Sequence, residues 1–163
     1  MQNNQSILPS EYINLPLWNE FQNSLSGLLD IPIAIYGSNG SLIAPTSRED
    51  CICEILKKRA RSGLELYRKS YIKAITKAMQ RNEPYIYRCF TNQYVFVIPV
   101  TLDKNLSVAI VGGHVYLSKD DFQEFIKDSA DLGLDDLIAR ELQKKVKVVK
   151  PQDFFTKPHI VKS

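Results

Sequence analysis

Few side chains in this sequence are equipped for chemistry. The 163-residue chain has three cysteines, Cys51, Cys53 and Cys89, and two histidines, His114 and His159. A thiol becomes a useful nucleophile when a base stands within hydrogen-bond reach. Cys89 and His114 are the pair that a sheet could bring together, whereas His159 falls in a C-terminal tail marked by Pro151 and Pro158. No oxyanion-hole motif accompanies them, so a non-enzymatic domain is expected. Cys51, Cys53, Cys89 and His114 also make a ligand set whose composition suits zinc. The Cys-x-Cys spacing, however, is neither a redox Cys-x-x-Cys nor a zinc knuckle. A cysteine-based metal or redox sensor is therefore the alternative reading. Gly37-Ser38-Asn39-Gly40 is not followed by the Gly-Lys-Ser/Thr of a phosphate loop, and no cofactor is implied.

The elements that must position these groups centre on residues 84–117. Three apolar runs, 85–90, 94–101 and 106–117, are separated by Thr91-Asn92-Gln93 and Asp103-Lys104-Asn105. Val, Ile, Tyr and Phe suit a pleated surface, and the breaks have the length of hairpin loops, so a three-strand antiparallel meander is expected. The middle run is apolar at nearly every position. Both its faces need cover: helices on one, and more protein or a ligand on the other. Ahead of it, residues 31–36 and 41–44 read as two strands joined by a turn at residues 37–40.

Trp18, Phe21, Leu25 and Leu28 recur at helical spacing, with Pro16 in the first turn. Residues 50–61 read as a short helix capped by Ser47 or Asp50, with Cys51, Ile55 and Leu56 on one side. Residues 64–81 form the longest helix. Ser118 caps a further helix, residues 134–146 are amphipathic, and residues 148–163 read as an extended tail or linker. The lysines and arginines crowding 57–77 read as a solvated face, with an anionic partner as the sharper alternative. No helix-turn-helix or zinc pattern accompanies them, so direct nucleic-acid binding is not expected.

Composition fits one soluble domain: 44% hydrophobic and 24% charged residues, with a net charge of +3. The polar N-terminus has no secretory signal pattern, and no apolar run spans a bilayer. The expectation is a cytoplasmic protein with a loose stretch at 1–10 and a domain at 11–147. The fold class is α+β: a five-stranded antiparallel sheet with helices on one side and a helical insertion between strands two and three. That architecture resembles the PAS/GAF class of sensor folds.

Residues 28–117 resemble more closely the PocR ligand-binding (sensory) domain family, which is related to PAS and GAF. The resemblance rests on the strand-turn-strand IPIAIYGSNGSLI, on Cys51 or Cys53 in a short helix, on Tyr87-Arg88-Cys89 before the meander, on Pro99, and on Gly112-Gly113 in the last strand. Tyr67-Arg68-Lys69-Ser70 stands where the family has Cys-x-x-Ser, and Phe90-Thr91-Asn92 where it tends to have His-x-Gly. The resemblance implies a sensor of a small organic molecule such as a diol or another simple hydrocarbon derivative. The pocket candidates are Cys51, Tyr67, Ser70, Tyr87, Cys89, Tyr94, Gly113 and His114. Hydroxyls and imidazole both donate and accept, which suits a neutral polar ligand. Glycines in a strand mark a close approach to the backbone. The terminal helices would contact a second copy, as a homodimer, or an output domain.

Overall fold

In the computed structural model, which describes residues 11–48, 51–60 and 62–162, the chain begins with α1 (Leu15–Leu29) and the hairpin β1 (Ile33–Gly37) and β2 (Leu42–Ala44). The inserted helices α2 (Ile52–Arg59) and α3 (Gly63–Arg81) follow, then the meander β3 (Tyr85–Arg88), β4 (Tyr94–Asp103) and β5 (Leu106–Val115). The chain ends with α4 (Lys119–Asp128), α5 (Asp136–Gln143) and α6 (Pro151–Lys162). The expected loose stretch 1–10 and the candidate cap Asp50 lie outside the described residues.

The five strands form one antiparallel sheet in the order β2-β1-β5-β4-β3, so β1 joins the hairpin to the meander by pairing with β5. This is the PAS/GAF-like α+β sheet expected from the sequence, with the helical insertion between strands two and three; helices cover both of its faces, however, and not one. Side chains on a strand alternate between faces. Ala34, Tyr36, Val95, Val97, Ala109 and Val111 therefore meet Ala74, Ile75 and Ala78 of α3. Ile33, Phe96, Ile98 and Ile110 meet Trp18 and Leu25 of α1 and Phe154 of α6 on the opposite face. The second cover left open by the sequence is thus protein. Fully burying side chains of this size stabilises by roughly 1.5–3 kcal/mol each, which is why the central strand could afford so few polar residues.

The helix ends follow local chemistry. The Asn14 side chain accepts from Leu17 N at 3.1 Å, and Pro16 sits in the first turn of α1. Within α1, buried Gln22 accepts from Trp18 Nε1 at 2.7 Å and donates to the Pro45 carbonyl at 2.8 Å, so both ends of its amide are satisfied. Ser118 caps α4 by accepting from Asp120 N at 3.1 Å. In the shorter-than-expected α5, Asp135 caps by accepting from Ile138 N at 2.8 Å. Ile138 and Leu142 of α5 pack with Phe122, Phe125, Tyr116 and Leu56, while Leu137 of the expected stripe stays exposed.

Two expectations are corrected. Ser47 does not cap α2: its hydroxyl accepts from Ile33 N at 2.9 Å and donates to Ser26 Oγ at 2.9 Å, tying the hairpin to α1 instead. Cys51 holds the cap position without a side-chain cap bond, and the buried face is Ile52, Cys53 and Leu56. Residues 148–163 are not an extended tail. Val148 makes a parallel bridge to Tyr116, Tyr116 N donates to the Lys147 carbonyl at 2.8 Å, and Val149 N donates to the Tyr116 carbonyl at 2.9 Å. Helix α6 follows. Its first residue, Pro151, needs no N–H partner there, and the burial of Phe154 offsets the interruption at Pro158.

Candidate ligand site

Three elements bring polar groups under α3. Strand β3 alternates, so Tyr85 and Tyr87, and then Cys89 beyond it, face the helix while Ile86 faces away. The turn into β4 is tight: Cys89 N donates to the Gln93 carbonyl and Asn92 N to the Cys89 carbonyl, each at 2.9 Å, with Asn92 at φ +61°. That turn folds Thr91 and Gln93 inward, where they are 0% and 1% exposed.

Strand β5 supplies His114 by breaking its own alternation. Ala109 and Val111 face α3, so a regular strand would place Gly113 there next and turn His114 away. A bulge intervenes: Tyr94 pairs with Val115, but Val95 pairs with Gly113. Gly113 at φ +116° and His114 at φ +57° absorb the extra residue, and His114 reaches the α3 side. A non-glycine residue in the left-handed region carries strain on the order of 1 kcal/mol, and such strain concentrates at functional sites. Only glycine fits at 113, because an added Cβ would stand 2.8 Å from the Tyr94 carbonyl oxygen and 3.1 Å from Phe154 Cε2.

The groups meet around an internal void of about 10 Å³, room for about one water molecule, lined by Cys53, Tyr67, Ser70, Tyr71, Tyr87, Cys89, Phe90, Val111 and His114. Above it Tyr36 and Tyr67 share a hydroxyl–hydroxyl hydrogen bond of 2.7 Å. Below it lies a relay. Gln93 Nε2 donates to the His114 carbonyl at 2.7 Å, which turns Gln93 Oε1 toward Cys53 at 3.2 Å and Thr91 Oγ1 at 3.0 Å. Cys89 Sγ lies 2.9 Å from Thr91 Oγ1 and 3.9 Å from Cys53 Sγ. A hydroxyl has one proton. Thr91 therefore accepts from the Cys89 thiol while donating to Gln93, and one rotation lets it donate to a Cys89 thiolate instead. Nδ1 of His114 is buried and has no hydrogen-bond partner among the described residues.

The two thiols are driven apart. Burial raises Cys89, but hydrogen bonding with Cys53, the neighbouring His114 ring and the Thr91 hydroxyl outweigh it and hold Cys89 well below the usual thiol range. Hydrogen bonding with Cys89, followed by burial, pushes Cys53 well above it. Cys89 is thus the sulfur that ionises first. Burial also raises Tyr36, Tyr67, Tyr87 and Tyr116 far above an ordinary phenol. Above about pH 10 an unfolded chain releases these four protons and the folded chain keeps them. Stability present below that pH is lost as the pH rises, by about 1.4 kcal/mol per pH unit for each group. The melting temperature is expected to fall steeply above about pH 10, with phenolate absorbance from these rings appearing only as the chain unfolds. Ionisation of all eight tyrosines near their ordinary pKa in the still-folded chain would contradict this.

Of the sequence-derived candidates, Tyr67, Ser70, Tyr87, Cys89 and His114 are brought together. Three are not. Cys51 packs at the margin of this cluster without lining the void. Tyr94 lies on the opposite face, its ring 6.1 Å from that of Phe154. Gly113 shapes the bulge, and its open side faces Tyr94 and Phe154. Nor do Cys51, Cys53, Cys89 and His114 form a metal set: among the described residues no three His, Cys, Asp or Glu side chains are gathered to hold an ion. Sequence reasoning missed Tyr36, Thr91 and Gln93. Outside the void, a surface groove of about 390 Å³ runs between α3 and β3 along Lys69, Lys73, Lys77 and Tyr85, and it shares Ser70, Tyr87, Cys89 and Phe90 with the void. Lys77 and Arg81 stand over the Tyr85 ring, 5.4 and 5.6 Å from its centroid.

The sheet is PAS/GAF-like, and a water-sized void lies beneath its inserted helix. The family model described as the sensory domain found in PocR matches residues 11–156, from just ahead of α1 into α6. The chain belongs to that family. No curated protein and no solved structure matches it. Among the described residues, no helix is long and apolar enough to cross a membrane.

Proposed function

We propose that this sensory domain binds a small, uncharged organic molecule, a diol or short alcohol, against Tyr67, Ser70, Tyr87, Cys89 and His114. The void admits about one water molecule as it stands, so the ligand enters from the α3–β3 groove by parting Ser70, Tyr87, Cys89 and Phe90, which border both spaces. The observation that carries this reading is His114: a strained bulge turns its ring to the void, and its buried Nδ1 is left without a partner among the described residues. A buried polar atom without a partner costs about 1–3 kcal/mol, and a ligand hydroxyl would recover part of that. The domain acts by binding and not by catalysis, within a cytoplasmic signalling or transcription-regulating protein. Occupancy would pass through the flanking helices to an output domain or a second copy. Helix α1 offers a contact face for one, since Leu17, Phe21 and Leu28 are exposed along it.

A ligand at about one hundred times its Kd stabilises the folded state by about 2.7 kcal/mol. For a domain of this size the melting temperature then rises by roughly 5–10 °C. A panel of diols, short alcohols and short carboxylic acids, screened by thermal shift, is expected to yield at least one such rise among the uncharged members. His114→Ala is expected to weaken the hit by about tenfold, the worth of one hydrogen bond at the upper end of the usual range. If no member of the panel shifts the wild-type chain, or the hit is indifferent to His114, this reading fails.

A further inference from the structure

The sulfurs of Cys53 and Cys89 are 36 residues apart in sequence and 3.9 Å apart in space. Both thiols are free, and both are buried. We infer that they form a second responsive site in this domain, a peroxide-oxidised, reversible disulfide that reports through α2. The inference shares a wall with the proposed ligand pocket but does not depend on the ligand.

Three observations support it. First, a disulfide needs an S–S distance of about 2.05 Å, so the sulfurs must close by about 1.9 Å. Cys53 lies in the first turn of α2, a helix of eight residues, so a small displacement of that turn would close the gap. Second, the sulfurs are not sealed in hydrocarbon. They border a void the size of one water molecule, beside a groove open to solvent, which gives a small hydroperoxide a way in. Third, the two cysteines are not equivalent. Cys89 has the Thr91 hydroxyl at 2.9 Å and the His114 ring beside it, the surroundings that favour a thiolate, whereas Cys53 donates to Gln93 Oε1 and keeps its proton. One sulfur is set up to attack and the other to resolve. Disulfides in reducing compartments are usually transient and of this regulatory kind.

The chemistry balances with a hydroperoxide as the oxidant. The Cys89 thiolate attacks one peroxide oxygen and the O–O bond breaks. This gives the sulfenic acid of Cys89 and a hydroxide, which takes up the proton that Cys89 released and leaves as water. The Cys53 sulfur then attacks the sulfenic sulfur. An S–S bond forms, the S–O bond breaks, and the hydroxyl leaves with the Cys53 proton as a second water. Two thiols lose two electrons, and one hydrogen peroxide becomes two waters. Cys53 gives up Gln93 in the process and draws the start of α2 toward the β3–β4 turn. Ile52 and Leu56 of α2 pack in the same cluster as Tyr116, Phe122 and Leu142, and Arg59 pairs with Glu141 of α5, so the shift is delivered to the C-terminal helices.

The test is to treat the purified chain with hydrogen peroxide and map its peptides without reduction. The wild-type chain and Cys51→Ser are expected to lose two hydrogens, to yield a Cys53–Cys89 linked peptide, and to be restored by dithiothreitol. Cys53→Ser is expected to form no link and to trap dimedone on Cys89, while Cys89→Ser leaves Cys53 unlabelled. The serine variants differ by one atom, and their melting curves check that they fold. The inference is overturned by a link to Cys51, by links only between chains, by dimedone on Cys53 in place of Cys89, or by thiols that stay reduced under peroxide that oxidises the denatured chain. A failed ligand panel leaves this result untouched, and a failed oxidation leaves the panel untouched.

Discussion

Replacing Phe154 by alanine will lower the stability of the fold by about 4 kcal/mol, within the range for emptying a buried phenylalanine site. The side chain is 0% exposed, and its ring packs 6.1 Å from Tyr94 and 6.2 Å from Phe96 across the sheet face that α1 leaves open. The loss corresponds to a fall in melting temperature of about 10 °C for a domain of this size. Phe155→Ala is the control, because Phe155 is 43% exposed and its loss should be small. Equal effects at the two positions, measured by calorimetry or denaturant titration, would mean that α6 is not seated as described.

Substituting Gly113 by alanine is expected to cost about 3 kcal/mol, the sum of a methyl forced into the left-handed region and an overlap in a packed site. The added carbon would lie 2.8 Å from a backbone oxygen, which cannot rotate out of the way as a side chain could. The loss has a second component. The bulge at Gly113 is what directs His114 to the void, so this variant should also lose the ligand response, whereas Gly27→Ala should lose neither. Among the described residues nothing lies within 4 Å of a Cβ at Gly27, and alanine is the better helix former there. Gly113→Ala with undiminished stability would show that β5 runs without its bulge.

The strands were legible because burial on both faces leaves a plain trace. The run beginning at Tyr94 could be nothing but a covered strand, and the turns at Gly37–Gly40 and Asp103–Asn105 supplied the breaks. Tyr87 and Cys89 were legible as neighbours because β3 alternates regularly. Thr91 and Gln93 were not. A polar triplet between two strands looks like solvated loop, and only the tight turn from Cys89 to Gln93 drives its side chains inward. Helix α6 was hidden by its two prolines, since local propensity argues against a helix that tertiary burial of Phe154 sustains. His114 was found for its chemistry alone. The bulge that turns it inward leaves no mark in sequence beyond the Gly112-Gly113 pair.

Among the described residues strand β3 has a neighbour on one side only, so its outer rim offers backbone donors and acceptors to any passing strand. It is four residues long, and the ammonium of Lys77 and the guanidinium of Arg81 hover over Tyr85 at its start. A second molecule trying to extend the sheet there would have to strip water from two cations for very few hydrogen bonds. Charges placed beside an edge strand disfavour its pairing with another chain. Neutralising them should leave the fold intact and make the protein less soluble.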